Sequence, residues 1–409
     1  QRRSLLFLRF LVKKLMVGKA SNIVVGWRPS SVSGWGVYGQ NLLCQIMEKG
    51  RNPILFLSPH LMNVTSDAAR LLKPVLQKQV HLEELLGKVG SLEFDYPVLH
   101  ALRNDFIPSL GEQSAHGNKN IGITFFESTE ITSEGLVRAR EYDLIVTGSR
   151  WNKEILESRG LNNVVNIFQG VDQNLFKPGK KNKKYHDRFV IYSGGKLEYR
   201  KAQDVVSIAF KEFQKKHSEA LLIFAWANQW TKIMPTICQS NFTKGYPDVT
   251  DDNVMLIDKW LIENDLLEDT FINLGMLPNK DLPEYISAAD MAIFPNRCEP
   301  GTNLMAMEAM AMGLPCIIAA NTGQLDLIAE NRCYPLINQT PVQPFAPYKE
   351  VSGWREPTIE ETLKRMEEIY QDRIGARQRG IEAANFLSKF SWSNQIDHLL
   401  SEIDALYGD

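Results

Sequence analysis

Short apolar runs alternate with helix-period stretches along the whole chain, and the pattern restarts near the middle. In the first half the runs are Ser21 to Gly26, Pro53 to Leu57, Tyr96 to His100, Ile121 to Phe126, Tyr142 to Ser149 and Val164 to Phe168. In the second half they are Arg188 to Ser193, Ala220 to Ala225, Phe271 to Leu274, Asp290 to Phe294 and Cys316 to Ala320. Each predicts a buried strand. Between them, Gln40 to Lys49, Trp151 to Arg159 and Leu282 to Ala288 read as helices, the first two closed by Gly50 and Gly160. From Thr358 the chain is strongly helical, and Phe390-Ser-Trp392 opens a final amphipathic helix to Leu406. Strands alternating with helices predict an α/β protein, and the restart predicts two domains. Lys177 to Lys184, basic and poor in apolar residues, reads as the exposed linker. The expected division is 1–178 and 179–409. Ser58 to Phe94 and Arg103 to Asn120 lack a clear period and read as long loops suited to acceptor recognition.

The most informative stretch runs from Phe294 to Pro315. A strand end passes through a loop with Pro300 and Gly301 into a helix rich in Ala and Met, which Gly313 and Pro315 stop. Free N–H groups at such a helix start can hold an anion. Glu299 lies in the loop and Glu308 lies about two turns into the helix. Backbone N–H groups for phosphate and carboxylates for hydroxyl groups are what a nucleotide-sugar needs. A buried helix with an incidental acid at each end would show the same spacing.

Composition narrows the classes. The 409 residues are 44% hydrophobic and 23% charged, as in an ordinary globular protein. A formal net charge of −2 gives no electrostatic reason to expect nucleic acid. Cys44, Cys238, Cys298, Cys316 and Cys333 are scattered without a CxxC pair, which fits a reducing, cytoplasmic location and neither a disulfide framework nor a zinc site. No apolar run reaches the roughly 18 residues of a spanning helix. Within residues 1–19, Phe7, Leu8, Leu11, Val12 and Leu15 share one helical face opposite Arg2, Arg3, Arg9, Lys13 and Lys14. That is a basic amphipathic helix, suited to peripheral contact with the inner face of an anionic membrane or to packing on a protein surface.

Three segments together resemble the retaining group-1 glycosyltransferases (family 4) of the GT-B fold. They are Gly170-Val-Asp172 through Pro178, Gly195-Lys196 with Lys201 five residues on, and Glu299 through Pro315. The resemblance implies two Rossmann-like domains facing a cleft, with 390–409 crossing back to brace the first. It implies that Lys196 and Lys201, after Gly195, reach the donor diphosphate, so that fixed cations replace a metal and no cofactor is needed. Glu299 would hold the donor sugar, Glu308 the ribose, and Gly301, Thr302, Asn303 and Leu304 the phosphate. Lys201, Lys196 and Glu299 are thus the candidate catalytic residues. Pro300 to Met307 separate the two acids by one residue more than the seven usual in the family, and Lys196 stands where many relatives carry Arg.

In the first half, Gly34-Trp-Gly36-Val-Tyr-Gly39 spells GxGxxG. Arg28 to Ser33 separate it from the strand, and no acid ends the second strand, so a dinucleotide site is disfavoured. It resembles instead the Gly-rich loop of GT-B amino-terminal domains, with Gly34 and Gly36 letting the donor approach the backbone. Many relatives place a histidine near the end of the Ile121 strand. Here Phe126 and Glu127 stand there, and Glu127 reads either as a sugar or acceptor ligand or as an acid flanking the next helix. The implied reaction is transfer of a hexose from a nucleotide-sugar to a carbohydrate or lipid-linked acceptor, as in surface polysaccharide or glycoconjugate synthesis. A nucleotide-sugar epimerase or phosphorylase of the same fold, and a non-catalytic sugar-nucleotide-binding module, remain open at this point.

Overall fold

The computed structural model describes residues 22–109 and 114–408. The basic segment 1–19 lies outside them. The first half builds β1 (Asn22–Val25), α1 (Gly34–Glu48), β2 (Asn52–Leu55), α2 (Ser66–Val89), β3 (Leu92–Leu102), β4 (Ala115–Thr124), α3 (Ser133–Arg140), β5 (Leu144–Thr147), α4 (Arg150–Ser158) and β6 (Val164–Asn166). These strands pair in parallel in the order β2-β1-β3-β4-β5-β6. The second half builds β7 (Phe189–Lys196), α5 (Gln203–Gln214), β8 (Ala220–Ala227), α6 (Ile257–Glu263), β9 (Phe271–Asn273), α7 (Leu282–Ile286), β10 (Met291–Phe294), α8 (Leu304–Ala311), β11 (Cys316–Ala319) and β12 (Tyr334–Leu336). Its sheet is also parallel, in the order β12-β11-β10-β7-β8-β9. A short antiparallel hairpin, β13 (Gln339–Pro341) and β14 (Arg355–Pro357), precedes α9 (Ile359–Gln371), α10 (Arg373–Leu387) and α11 (Trp392–Ala405).

β1, β5, β10 and β11 are buried at every residue. Helices cover both faces of a parallel sheet, which is why these strands read as unbroken apolar runs rather than alternating ones. The fold is therefore two Rossmann-like α/β domains. In each sheet the strand order reverses once, between β1 and β3 and between β10 and β7. Ligands of open α/β sheets bind beyond the carboxyl ends of strands at such reversals. Here those ends face one another. Asn279 N–H donates 2.7 Å to the Ser31 carbonyl, and Ser149 Oγ donates 2.6 Å to the Pro300 carbonyl.

The last helix joins the first core. Val171 N–H donates 2.8 Å to the Phe390 carbonyl, and Trp392 stacks on Tyr38 with ring centroids 5.4 Å apart. Ile396, Leu399, Leu400 and Ile403 pack with Ile23, Leu42 and Ile46. At the rim Lys49 meets Asp397 at 2.7 Å, and Arg51 Nη1 donates 2.7 Å to Asp404. Gly170 permits this crossing, since a Cβ there would lie 2.4 Å from the Cα of Trp392.

Two segments read from the sequence as loops are ordered elements. Ser66–Val89 is a 24-residue helix started by Thr65, whose hydroxyl accepts from Ala68 N–H. Its period is hidden because Pro74 lies inside it and only a narrow stripe, Leu72, Val75 and Gln79, is fully buried. Likewise β4 begins at Ala115, well inside the stretch read as a loop. The GxGxxG residues also differ from expectation. They are the first turns of α1, not a loop before it, because the Ser33 hydroxyl accepts from Gly36 N–H at 3.2 Å and starts the helix there.

Candidate active site

The site is built on the carboxyl ends of β7 and β10. At the end of β7, a Cβ on Gly194 would lie 2.3 Å from Met305 Cε, so the glycine lets the first turn of α8 close on the strand. Gly195 follows at φ +143, a conformation side chains rarely adopt. A single 3₁₀ turn, Tyr199–Lys201, then leads through Ala202 at φ +60 into α5. This turn sends two consecutive cations, Arg200 and Lys201, toward the loop after β10. Lys196 Nζ lies 3.2 Å from Glu198 and 5.3 Å from the Trp230 ring centre. Lys201 Nζ donates to Oε1 of Glu299. Arg200 donates 2.7 Å to Glu198, 3.4 Å to Oε2 of Glu299 and 3.0 Å to the Cys298 carbonyl.

Glu299 is 4% exposed. Its Oε1 accepts from Lys201 and from Asn296, its Oε2 from Arg200, and its N–H donates 2.9 Å to the Thr322 hydroxyl. A carboxylate offers about four acceptor positions. Three are used, which pins the group and leaves one direction for a hydroxyl. The loop then turns through Gly301, Thr302 and Asn303, all buried, with Asn303 at φ +67. Asn303 caps α8 by accepting from Ala306 N–H at 3.4 Å and donates 2.9 Å to Gln324. Leu304 opens the helix and packs partly against the first core. A Cβ on Gly301 would stand 3.1 Å from the Phe125 ring, so the two domains close on this loop.

Glu308 is 2% exposed on the inner face of α8. Asn279 Nδ2 donates 2.6 Å to its Oε1, while Oε2 is buried without a partner. Burial pushes its carboxyl up to about 8, against the Asn279 bond and with a smaller push from Asp172. The Tyr192 hydroxyl, also buried and unpartnered, lies within its electrostatic reach. Around Glu198, burial works to raise the carboxyl, yet Arg200, then Lys196 and Lys201, hold it below the usual carboxylate range. Burial lowers the Lys201 ammonium, opposed by Glu299 and aided by Arg200.

On the facing domain, Gly34 is exposed at the start of α1 with open space around it. Gly36 has its Cβ face filled by Ser30, at 2.3 Å, and packs against protein. Glu127 lies in the crevice. Its Oε1 accepts from the Tyr348 hydroxyl at 3.3 Å, and its carbonyl accepts from Trp354 Nε1 at 2.9 Å. It does not cap the next helix: Thr132 does, supported by Asp105. His100 sits inside β3, its Nε2 3.0 Å from Asn120.

Several residues of this arrangement were not singled out in the sequence. Arg200 and Glu198 join the charge network, Asn296 donates to Glu299, and Asn279 supplies the Glu308 partner. Arg297 is fully buried, donating 2.9 and 2.6 Å to Asp204 and 2.7 Å to Glu356, with its guanidinium 3.9 Å over the Tyr199 ring. It ties the 339–357 hairpin to the site loop, and Tyr348 and Trp354 of that hairpin reach across to Glu127. The one available signal was the dense run of charge from Lys196 to Asp204. Among the described residues no group of three or more His, Cys, Asp or Glu side chains is placed to hold a metal ion.

Residues 176–346 match the family profile "Glycosyl transferases group 1". No curated protein matches the chain in sequence. Sucrose-phosphate synthase from Thermosynechococcus elongatus is similar in structure at TM-score 0.64 and 15% identity, over 95% of this chain and 99% of that one. Anabaena Alr3699/HepE, in complex with UDP and glucose, is similar at 0.62 and 12% identity, over 94% and 100%. A glycosyltransferase from Rickettsia africae is similar at 0.60 and 12% identity, over 95% and 99%. At these identities the likeness is one of fold. The chain thus shares the GT-B fold end to end with these structures, and residues 176–346, mainly of its second domain, match the group 1 glycosyltransferase profile.

Proposed function

We propose that this protein transfers a hexose from a nucleoside-diphosphate sugar to a carbohydrate or lipid-linked acceptor with retention of configuration, in the synthesis of a surface polysaccharide or glycoconjugate. The observation that carries the reading is the gathering of Lys196, Lys201, Glu299 and Glu308 at the reversal between β7 and β10. Lys196, Lys201 and the N–H groups from Gly301 to Leu304 receive the diphosphate. Its charge grows as the glycosidic bond breaks, and fixed cations stabilise that charge without a metal. Glu299 accepts from a sugar hydroxyl through its one open direction. Glu308, with Oε2 unpartnered, hydrogen-bonds the ribose. Glu127 stands on the acceptor side. The acceptor attacks from the face the phosphate leaves, so no enzyme nucleophile is assigned. Residues 1–19 rest on an anionic membrane surface. UDP-hexoses are the first donors to try, since one structural relative is described with UDP and glucose.

The test is incubation with UDP-, GDP- and ADP-hexoses, with EDTA present and absent, with and without sugar acceptors. Slow donor hydrolysis alone and faster transfer with acceptor are expected. An epimer appearing without acceptor would sink the transferase reading, and nucleotide binding with neither turnover nor hydrolysis would favour a binding module. Vesicle binding equal with and without residues 1–19 would rule out the membrane contact.

A further inference from the structure

The two lysines assigned to the diphosphate are already engaged. Lys196 meets Glu198 and Lys201 meets Glu299, both carboxylates buried. To reach a phosphate, each ammonium must turn from its partner, and a buried carboxylate left alone is costly. The structure holds a group positioned to prevent this. Arg200 contacts both carboxylates at once, and its own backbone is tied down: its carbonyl accepts from Arg297 N–H at 2.8 Å. Its guanidinium spans the two acids in a planar fork that a lysine cannot reproduce. Three cations therefore face two carboxylates, and the surplus charge is available to a dianionic ligand.

We propose that Arg200 is a positioning residue that keeps Glu198 and Glu299 charge-compensated, so that Lys196 and Lys201 can turn to the donor diphosphate. This rests on the functional reading above. Without Arg200 the carboxylates retain the lysines, and diphosphate affinity falls. Removing the charge of Glu198 then returns Lys196 to the ligand.

The experiment is calorimetric titration of UDP, GDP and ADP into the wild type, Arg200→Met, Arg200→Lys, Glu198→Gln and the Arg200→Met/Glu198→Gln double variant, each checked for a cooperative unfolding transition. Arg200→Met should weaken the nucleotide that the wild type binds by about tenfold, and Glu198→Gln in that background should restore most of the loss. Arg200→Lys, able to serve one carboxylate only, should fall between. Glu198→Gln alone, which frees Lys196, should tighten binding even if Arg200→Met does not fold. Arg200 variants that bind like the wild type, or a weaker Glu198→Gln, overturn the proposal. A double variant no tighter than Arg200→Met does so too, and marks Arg200 as a direct phosphate contact. A wild type that binds none of the three nucleotides overturns the functional reading instead.

Discussion

Asn279 donates a 2.6 Å hydrogen bond to one carboxyl oxygen of Glu308 and leaves the other buried with no partner. Burial dominates, and the group stays protonated in the folded protein up to about pH 8, against 4.5 as the ordinary value. The folded state thus binds the extra proton between these values. Stability from this group is fully present below about 4.5 and is lost as pH rises through 8. Glu308→Gln mimics the protonated form and keeps the Asn279 bond. Thermal unfolding at pH 5, 7 and 9 should show the variant gaining on the wild type as pH rises. A gap that stays constant would mean Glu308 titrates normally.

Kinetics separate the two ends of the site. Diphosphate charge develops in the transition state, so Lys201→Ala should lower kcat by roughly 100-fold or more, with a smaller loss of nucleotide affinity. Ribose contacts change little along the reaction, so Glu308→Ala should act mainly on KM. A Lys201 variant of near-normal kcat would place the chemistry elsewhere.

Arg297 and Asp204 form a fully buried, two-bonded ion pair at the root of the site loop. Arg297→Met leaves Asp204 buried and uncompensated, at a cost of about 3–5 kcal/mol. The Arg297→Met/Asp204→Asn double variant should recover part of this in urea unfolding. Additive losses would show that the pair is not coupled.

The two glycines of α1 should behave oppositely. Gly34→Ala enters open space at the helix start and should be neutral or stabilising by about 0.5–1 kcal/mol. Gly36→Ala collides with Ser30 and should destabilise by about 1–3 kcal/mol. Equal unfolding midpoints for the two variants would contradict this packing.

Much of the fold was legible because its determinants are local or periodic. Short unbroken apolar runs such as Met291 to Phe294 read as strands buried on both faces, and their alternation with helices implies an α/β protein. Lys196, Lys201, Glu299 and Glu308 stood out because the segments that carry them resemble group-1 glycosyltransferase motifs, which survive in the linear chain. What periodicity could not reach was decided by tertiary structure. α2 was hidden because one narrow buried stripe and an internal proline leave little helical signal. The start of α1 depended on one hydroxyl, that of Ser33. The pairing of Lys201 with Glu299 and the bridging position of Arg200 join segments about a hundred residues apart, and the orphan oxygen of Glu308 arises from burial itself. Arg200 is an ordinary surface-type residue until the β10 loop closes over it. Only that closure, by removing water and adding a second carboxylate, makes it part of the site.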